Sequence, residues 1–148
     1  MPEPSTLYLV KRLELAIRKV LDDVLRPHGL TAPQYTALTA LAQRDDAGAD
    51  GLTSAQLARR SFVTPQTMHE QVIALERAGL VAREPDPSNR RLLRIRLTGA
   101  GRNRMRECAD VVADLEGRVD TALGPDERDG VRDALGRALA AVEPMARG

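Results

Sequence analysis

At 148 residues the chain has room for one domain, with at most an added oligomerisation element. It is 43% apolar and 29% charged with a net charge of +1, which excludes a disordered or polycationic tail protein, and its single cysteine excludes a disulfide framework. One Phe, two Tyr and no Trp leave little for stacking single-stranded bases, so the core has to come from Leu, Val and Ala, most easily in helices.

No stretch approaches the roughly 18 unbroken apolar residues of a membrane span. The start, MPEPSTLYLVKR, lacks the basic opening and apolar centre of a signal peptide. A soluble, cytoplasmic protein without a membrane partner is the expectation. Charge is unevenly spread: residues 1–52 hold 6 basic and 7 acidic side chains, residues 53–97 hold 8 and 4, and residues 98–148 hold 8 and 10. A basic middle between slightly acidic ends suits a nucleic-acid-facing module in a neutral frame.

In chain order, residues 6–26 place Leu13, Ile17, Val20, Leu21 and Val24 at three- and four-residue steps, predicting an amphipathic helix stopped by Pro27 and Gly29. His28 sits at that helix end, where it suits the last carbonyls. Thr31 and Gln34 have capping-box spacing and open a second helix through Tyr35, Leu38 and Leu41. Residues 45–51, DDAGADG, read as a polar loop. Thr53 and Gln56 make a second capping-box pair at the start of the short helix TSAQLARR, and SFV reads as a corner. TPQTMHEQVIALERAGL then has Thr64 as N-cap, Pro65 at the first helical position, Met68, Val72 and Leu75 facing inward, and Gly79 at its end. A short helix, a corner and a capped longer helix form a helix-turn-helix pattern.

Val81–Glu84 and Leu92–Leu97 are strand candidates, with Leu93, Ile95 and Leu97 alternating against Arg94 and Arg96. Pro87, Ser88 and Asn89 are turn formers between them, so DPSNRRLLRIRLT is the return half of a hairpin with Arg90 and Arg91 at its tip. Thr98 can cap a long helix reaching Leu123 through Met105, Val112, Leu115 and Val119. After Gly124 and Pro125, a last helix runs through Val131, Leu135, Leu139 and Val142. Both chain ends thus carry more apolar surface than a lone helix can hide.

Two constellations point to chemistry. With Met68, Val72 and Leu75 buried, Gln66, Thr67, His69 and Glu70 lie on the open side of the longer middle helix. Gln, Thr and His match the donors and acceptors of base edges in a major groove, and a helix N-terminus offers free N–H groups to phosphate. Arg90 and Arg91, always charged and weakly hydrated, suit a narrow and negative minor groove. The Asn89 side-chain carbonyl is placed to hold one of their guanidinium groups. Enzymatic chemistry has no support: His28 and His69 lack ligand-spaced partners, and there is no phosphate-binding glycine loop, nucleophile elbow or metal set. Cys108, inside an amphipathic helix, reads as a small buried apolar residue rather than a redox sensor.

Residues 30–103 resemble the MarR family of winged-helix transcriptional regulators, through ALERAGLVAR, then DPSNRR, then LTGAG. The resemblance implies a mainly α fold with a small β-hairpin wing, in which a winged helix-turn-helix at 30–97 is flanked by N- and C-terminal dimerisation helices at 5–29 and 98–146, all one domain. It implies a recognition helix at 64–78, a wing at 81–97, and a homodimer that binds a pseudo-palindromic site in double-stranded DNA as a repressor. The residues expected at DNA are Thr64, Pro65, Gln66, Thr67, His69, Gln71, Arg90 and Arg91, with Arg59 and Arg60 added at the backbone. It also implies no cofactor, but a pocket for a small-molecule effector, often an aromatic anion. Two positions depart from the family pattern: Asn89 stands where Asp is usual, and Glu70 where a basic or polar residue is common. A winged-helix module that binds protein instead of specific DNA is the alternative, and it needs neither base-reading residues nor paired tip arginines.

Overall fold

The computed structural model describes residues 2–48 and 50–146; Ala49, in the loop expected at 45–51, lies outside the described residues, as do Met1, Arg147 and Gly148. The chain divides into two compact units, one reaching Ala109 and the other beginning at Asp110. In the first unit, α1 (Thr6–Leu25) is followed by a single 3-10 turn (Arg26–His28), α2 (Ala32–Asp46), β1 (Leu52–Thr53), α3 (Ser54–Ser61), α4 (Pro65–Arg77), β2 (Val81–Pro85) and β3 (Leu93–Leu97). Helix α5 (Gly99–Leu123) begins in this unit and continues into the second, which also holds α6 (Arg128–Ala146).

The helix starts follow the caps in the sequence. Both capping boxes form: Gln34 N donates to Thr31 Oγ1 at 3.3 Å and Thr31 N to Gln34 Oε1 at 3.0 Å, and Thr53 and Gln56 reciprocate at 3.2 and 3.0 Å. Each satisfies two backbone donors that a helix start leaves unpaired. The 3-10 turn that follows α1 ends at Gly29, whose φ of 73° suits glycine. At this end of the helix a distant arginine also contributes: Arg104 Nη1, on α5, donates to the backbone carbonyl of His28 at 2.9 Å.

The sheet has three antiparallel strands in the order β1-β3-β2, with Val81 opposite Leu97, Arg83 opposite Ile95 and Leu52 opposite Ile95 on the other side. Two-residue β1 has no periodic signal of its own and was not expected. It forms because Gly51 lets the chain pass β3: a Cβ there would lie 2.6 Å from the Ile95 carbonyl oxygen, and φ is +56°. The core of this unit is aliphatic, with Leu25, Leu38, Leu41, Leu57, Met68, Leu75 and Ile95 all nearly inaccessible. Full burial of one such side chain stabilises by about 1.5–3 kcal/mol.

Apolar surface remains on both units. Of the apolar stripe read on α1, Ile17, Leu21 and Val24 are half-buried while Leu13 and Val20 are exposed, as are Leu7, Tyr8, Leu9 and Val10 nearer the start. On α6, Leu135, Leu139, Val142 and Met145 are exposed. Among the described residues no helix is long and apolar enough to cross a membrane.

Candidate nucleic-acid interface

Helix α4 buries Met68, Val72 and Leu75 and turns its first half outward. Thr64 caps it: its Oγ1 accepts from Thr67 N at 3.1 Å and donates to Thr67 Oγ1 at 2.9 Å. Pro65 follows at the first helical position, where a missing N–H costs nothing. Of the residues expected at DNA, Thr64, Pro65, Gln66 and His69 are exposed, as is Glu70, while Thr67 and Gln71 are half-buried at the edge of the face. The N-terminal end of α4 therefore presents a polar surface, with one carboxylate at Glu70 and a helix N-terminus behind it.

The corner before it runs through Ser61, Phe62 and Val63. Phe62 has φ of 54°, the only positive value at a non-glycine among the described residues. A left-handed residue ends α3 and turns the chain, at a cost of about 1–2 kcal/mol when it carries a Cβ. Arg59 and Arg60, in the last turn of α3, are exposed beside it.

The wing is bolted to this helix by an ion pair that sequence reasoning missed. Arg83 on β2 meets Glu76 on α4 through both of its nitrogens facing that side, Nε to Oε2 at 2.9 Å and Nη2 to Oε1 at 2.8 Å. The hydrogen bond from Arg83 holds the Glu76 carboxyl below the usual range. A bidentate arginine fixes orientation as well as distance, so β2 cannot rotate on α4 without breaking it. The pair joins residues seven apart across a glycine turn, which no helix or strand period reveals.

At the hairpin, Asp86 is the organising residue. It is buried, and its Oδ1 accepts from Ser88 N at 2.7 Å, Ser88 Oγ at 2.6 Å and Asn89 N at 3.1 Å, while Oδ2 accepts from Arg94 Nε. Arg94 Nη1 donates onward to the Asp50 carbonyl at 2.9 Å. The clamp expected at Asn89 is thus corrected. Asn89 Oδ1 accepts from the Arg91 backbone N–H at 3.2 Å and shapes the turn, whereas the guanidinium clamped at the turn is that of Arg94, and Asp86 holds it. A short side chain closing a turn on its own backbone is what Asn and Asp do in loops. The signal was present in DPSN, where an Asp two residues before Ser predicts such a turn.

Hydrogen bonds from Ser88 and Arg94 push the Asp86 carboxyl far below the ordinary range. Because its folded pKa lies below the unfolded one, its contribution is complete above about pH 4 and is lost only as pH falls through the depressed value. Amide exchange at Ser88 and Asn89 is therefore expected to stay slow down to the ordinary carboxylate range and below it. Asp86→Asn is expected to speed exchange at both amides at neutral pH. Wild-type protection that collapses above pH 5 contradicts this assignment.

Ion pairing separates the wing arginines into two kinds. Arg83 pairs with Glu76, Arg94 with Asp86, and Arg96 with Asp50 and Glu84 at 3.2 and 3.1 Å. Arg90 and Arg91, both exposed at the tip, are the wing arginines without an ion pair among the described residues. Three arginines build the wing, and two are left facing out.

Nothing in the site suggests metal chemistry: among the described residues no group of three or more His, Cys, Asp or Glu could hold a metal ion. Cys108 on α5 is fully buried, and burial pushes its thiol up, which keeps the reactive thiolate scarce.

Residues 28–92 match the MarR family model. The HTH-type transcriptional repressor Rv2887 of Mycobacterium tuberculosis is 37% identical over 123 residues, covering 82% of this chain and 85% of its own. The structure of that MarR family protein in complex with salicylic acid superposes with a TM-score of 0.71 at 33% identity, over 92% of this chain and 97% of the other. CouR from Rhodococcus jostii RHA1, bound to p-coumaroyl-CoA, superposes with a TM-score of 0.74 at 26% identity, over 86% and 87% of the two chains. The S. aureus MepR–DNA complex shares the fold, with a TM-score of 0.77 at 23% identity over 94% and 99%. Rv2887, the relative with the higher sequence identity among these, is a transcriptional repressor. By its residues, its three-stranded winged helix-turn-helix and these relatives, the chain belongs to the MarR family of transcriptional regulators.

Proposed function

We propose that the protein is a sequence-specific repressor that binds a pseudo-palindromic operator as a homodimer. The observation that carries this reading is the pairing of an outward, capped, polar helix start with a wing whose two tip arginines are the ones without an ion pair among the described residues. In this reading Gln66, Thr67, His69 and Gln71 face base edges in the major groove, with Thr64 and Pro65 at its rim. Arg90 and Arg91 enter the adjacent minor groove, and Arg59 and Arg60 meet phosphates. The winged core is residues 30–97. The exposed apolar faces of α1 and α6 support residues 5–29 and 98–146 as the dimerisation segments, since each face needs a cover that its own unit does not supply. Two-fold symmetry then requires half-sites about one helical turn apart, ~34–36 Å.

The ligands bound by Rv2887 and CouR, salicylic acid and p-coumaroyl-CoA, are both aromatic and both anionic, which supports a small aromatic anion as effector here. Such a ligand releases DNA only to the extent that it binds better to a form with mispositioned recognition helices.

Selection from random duplex DNA, followed by titration at two salt concentrations, tests the reading. An enriched pseudo-palindrome bound far more tightly than random duplex, and released on adding salicylate, is the expected result. Salt-sensitive binding with no enriched sequence contradicts specificity, because backbone attraction alone gives that pattern. No binding to any duplex favours a protein-binding winged helix.

A further inference from the structure

We propose that Phe62 is a DNA-contact residue whose ring lies against the sugar–phosphate backbone where α4 enters the major groove, and that the chain tolerates a strained backbone to present it. The proposal rests on the DNA-binding reading above and deepens it.

Phe62 is the chain's only phenylalanine, in a protein with almost no aromatic residues to spend, yet it is 60% exposed. A single exposed apolar side chain is ordinary. The backbone beneath this one is not. Phe62 alone among the described non-glycine residues has a positive φ, whereas Gly29, Gly48, Gly51, Gly79 and Gly124 fill the other left-handed positions. Glycine would make the same corner without strain, and a bulky residue in that region is an outlier that points to a role for its side chain.

The corner also fixes where the ring stands. Val63 N donates to the Ala58 carbonyl at 3.2 Å and Phe62 N to the Arg59 carbonyl at 3.4 Å, which pins the backbone on both sides of the Phe62 Cα. The exposed neighbours are Arg59 and Arg60 before it and Thr64, Pro65 and Gln66 after it. A protein partner seated on Phe62 would want further apolar surface around it, and the neighbours are mostly basic or polar. A nucleic-acid backbone suits them: phosphates for the arginines and the helix start, and the apolar edge of deoxyribose for the ring.

The test uses the full chain, the duplex selected by wild type, and the variants Phe62→Gly and Phe62→Asn, both residues that accept the left-handed conformation. Both variants are expected to melt at least as high as wild type, because strain is relieved. Affinity is expected to fall roughly tenfold through loss of an apolar contact in both copies of the site. The slope of log affinity against log salt, and the ranking of altered duplexes, should not move, since a ring on a sugar releases no counterion and reads no base.

Wild-type affinity in both variants overturns the proposal. So does a lower melting temperature, which makes Phe62 a packing residue, or a changed salt slope or ranking, which makes it a shaper of α4. A changed native mass places the ring between copies of the chain and overturns it as well. A wild-type protein that selects no duplex overturns the DNA reading and this assignment together, whereas equal binding by wild type and both variants overturns this assignment alone.

Discussion

Arg91→Ala is expected to weaken binding to the selected duplex by about a hundredfold or more while the native mass of the protein stays unchanged. A hydrogen bond made by a charged group contributes about 1.5–3 kcal/mol, each 1.4 kcal/mol is about tenfold in affinity, and a dimer loses the contact twice. The salt dependence should also change: two fewer cations on the duplex lower the slope of log affinity against log salt by about 1.8. The stability cost should be small, because the Arg91 side chain is exposed and the turn uses only its backbone N–H, donated to Asn89. Titration by fluorescence anisotropy at several salt concentrations, with native mass measured in parallel, decides it. Unchanged affinity would remove the wing tip from the interface.

Gly101→Ala is expected to be the most damaging single methyl group in the first unit. A Cβ at Gly101 would stand 2.2 Å from the Leu80 carbonyl oxygen and 3.1 Å from Leu97 Cδ2, and the nearer obstacle is backbone that cannot swing aside. Thr98 makes the approach this close: Thr98 N donates to the Leu80 carbonyl at 3.1 Å, its Oγ1 donates to the Gly79 carbonyl at 2.6 Å, and that same oxygen accepts from Gly101 N at 3.0 Å. The turn after α4, the residue that follows β3 and the start of α5 are thereby tied in one knot, and Leu-Thr-x-x-Gly is the sequence that ties it. Overpacking of this kind costs about 3 kcal/mol, and roughly 2–4 °C per kcal/mol at this chain length puts the loss in melting temperature at about 6–12 °C. Gly99→Ala is the matched control: nothing lies within 4 Å of a Cβ there, so the change should be neutral or slightly stabilising through better helix propensity. Equal melting of the two variants would contradict the close approach.

These two sites show different degrees of legibility. Arg90 and Arg91 stood out in the sequence because arginine has no reason to sit at a turn tip. Gly101 was visible only as part of a family pattern, since its neighbour in space, Leu80, lies 21 positions earlier and no local period connects them. The wing clamp shows the same limit. DPSN announced a turn, but the partner of Asp86 is Arg94 across the hairpin, and attention to the nearest amide placed the clamp at Asn89 instead. The Glu76–Arg83 pair and two-residue β1 left no trace in any pattern of one element.

What the sequence determined by itself is local. Thr31, Thr53 and Thr64 set the helix starts, Gly29 and Gly79 the stops, and the alternation of Leu93, Ile95 and Leu97 set the returning strand, because caps, turns and periodicity act within a few residues of chain. From these the order of elements, the helix-turn-helix and the arginine-tipped hairpin could all be read. Only the tertiary structure decided which charges are spent inside the protein and which remain for a partner. Eight arginines between residues 53 and 97 look alike in the sequence. Folding brings Glu76, Asp86, Glu84 and Asp50 to three of those in the wing and leaves Arg90 and Arg91 outside. An ion pair is made by distance in space, and distance across a hairpin or between a helix and a strand is set by packing.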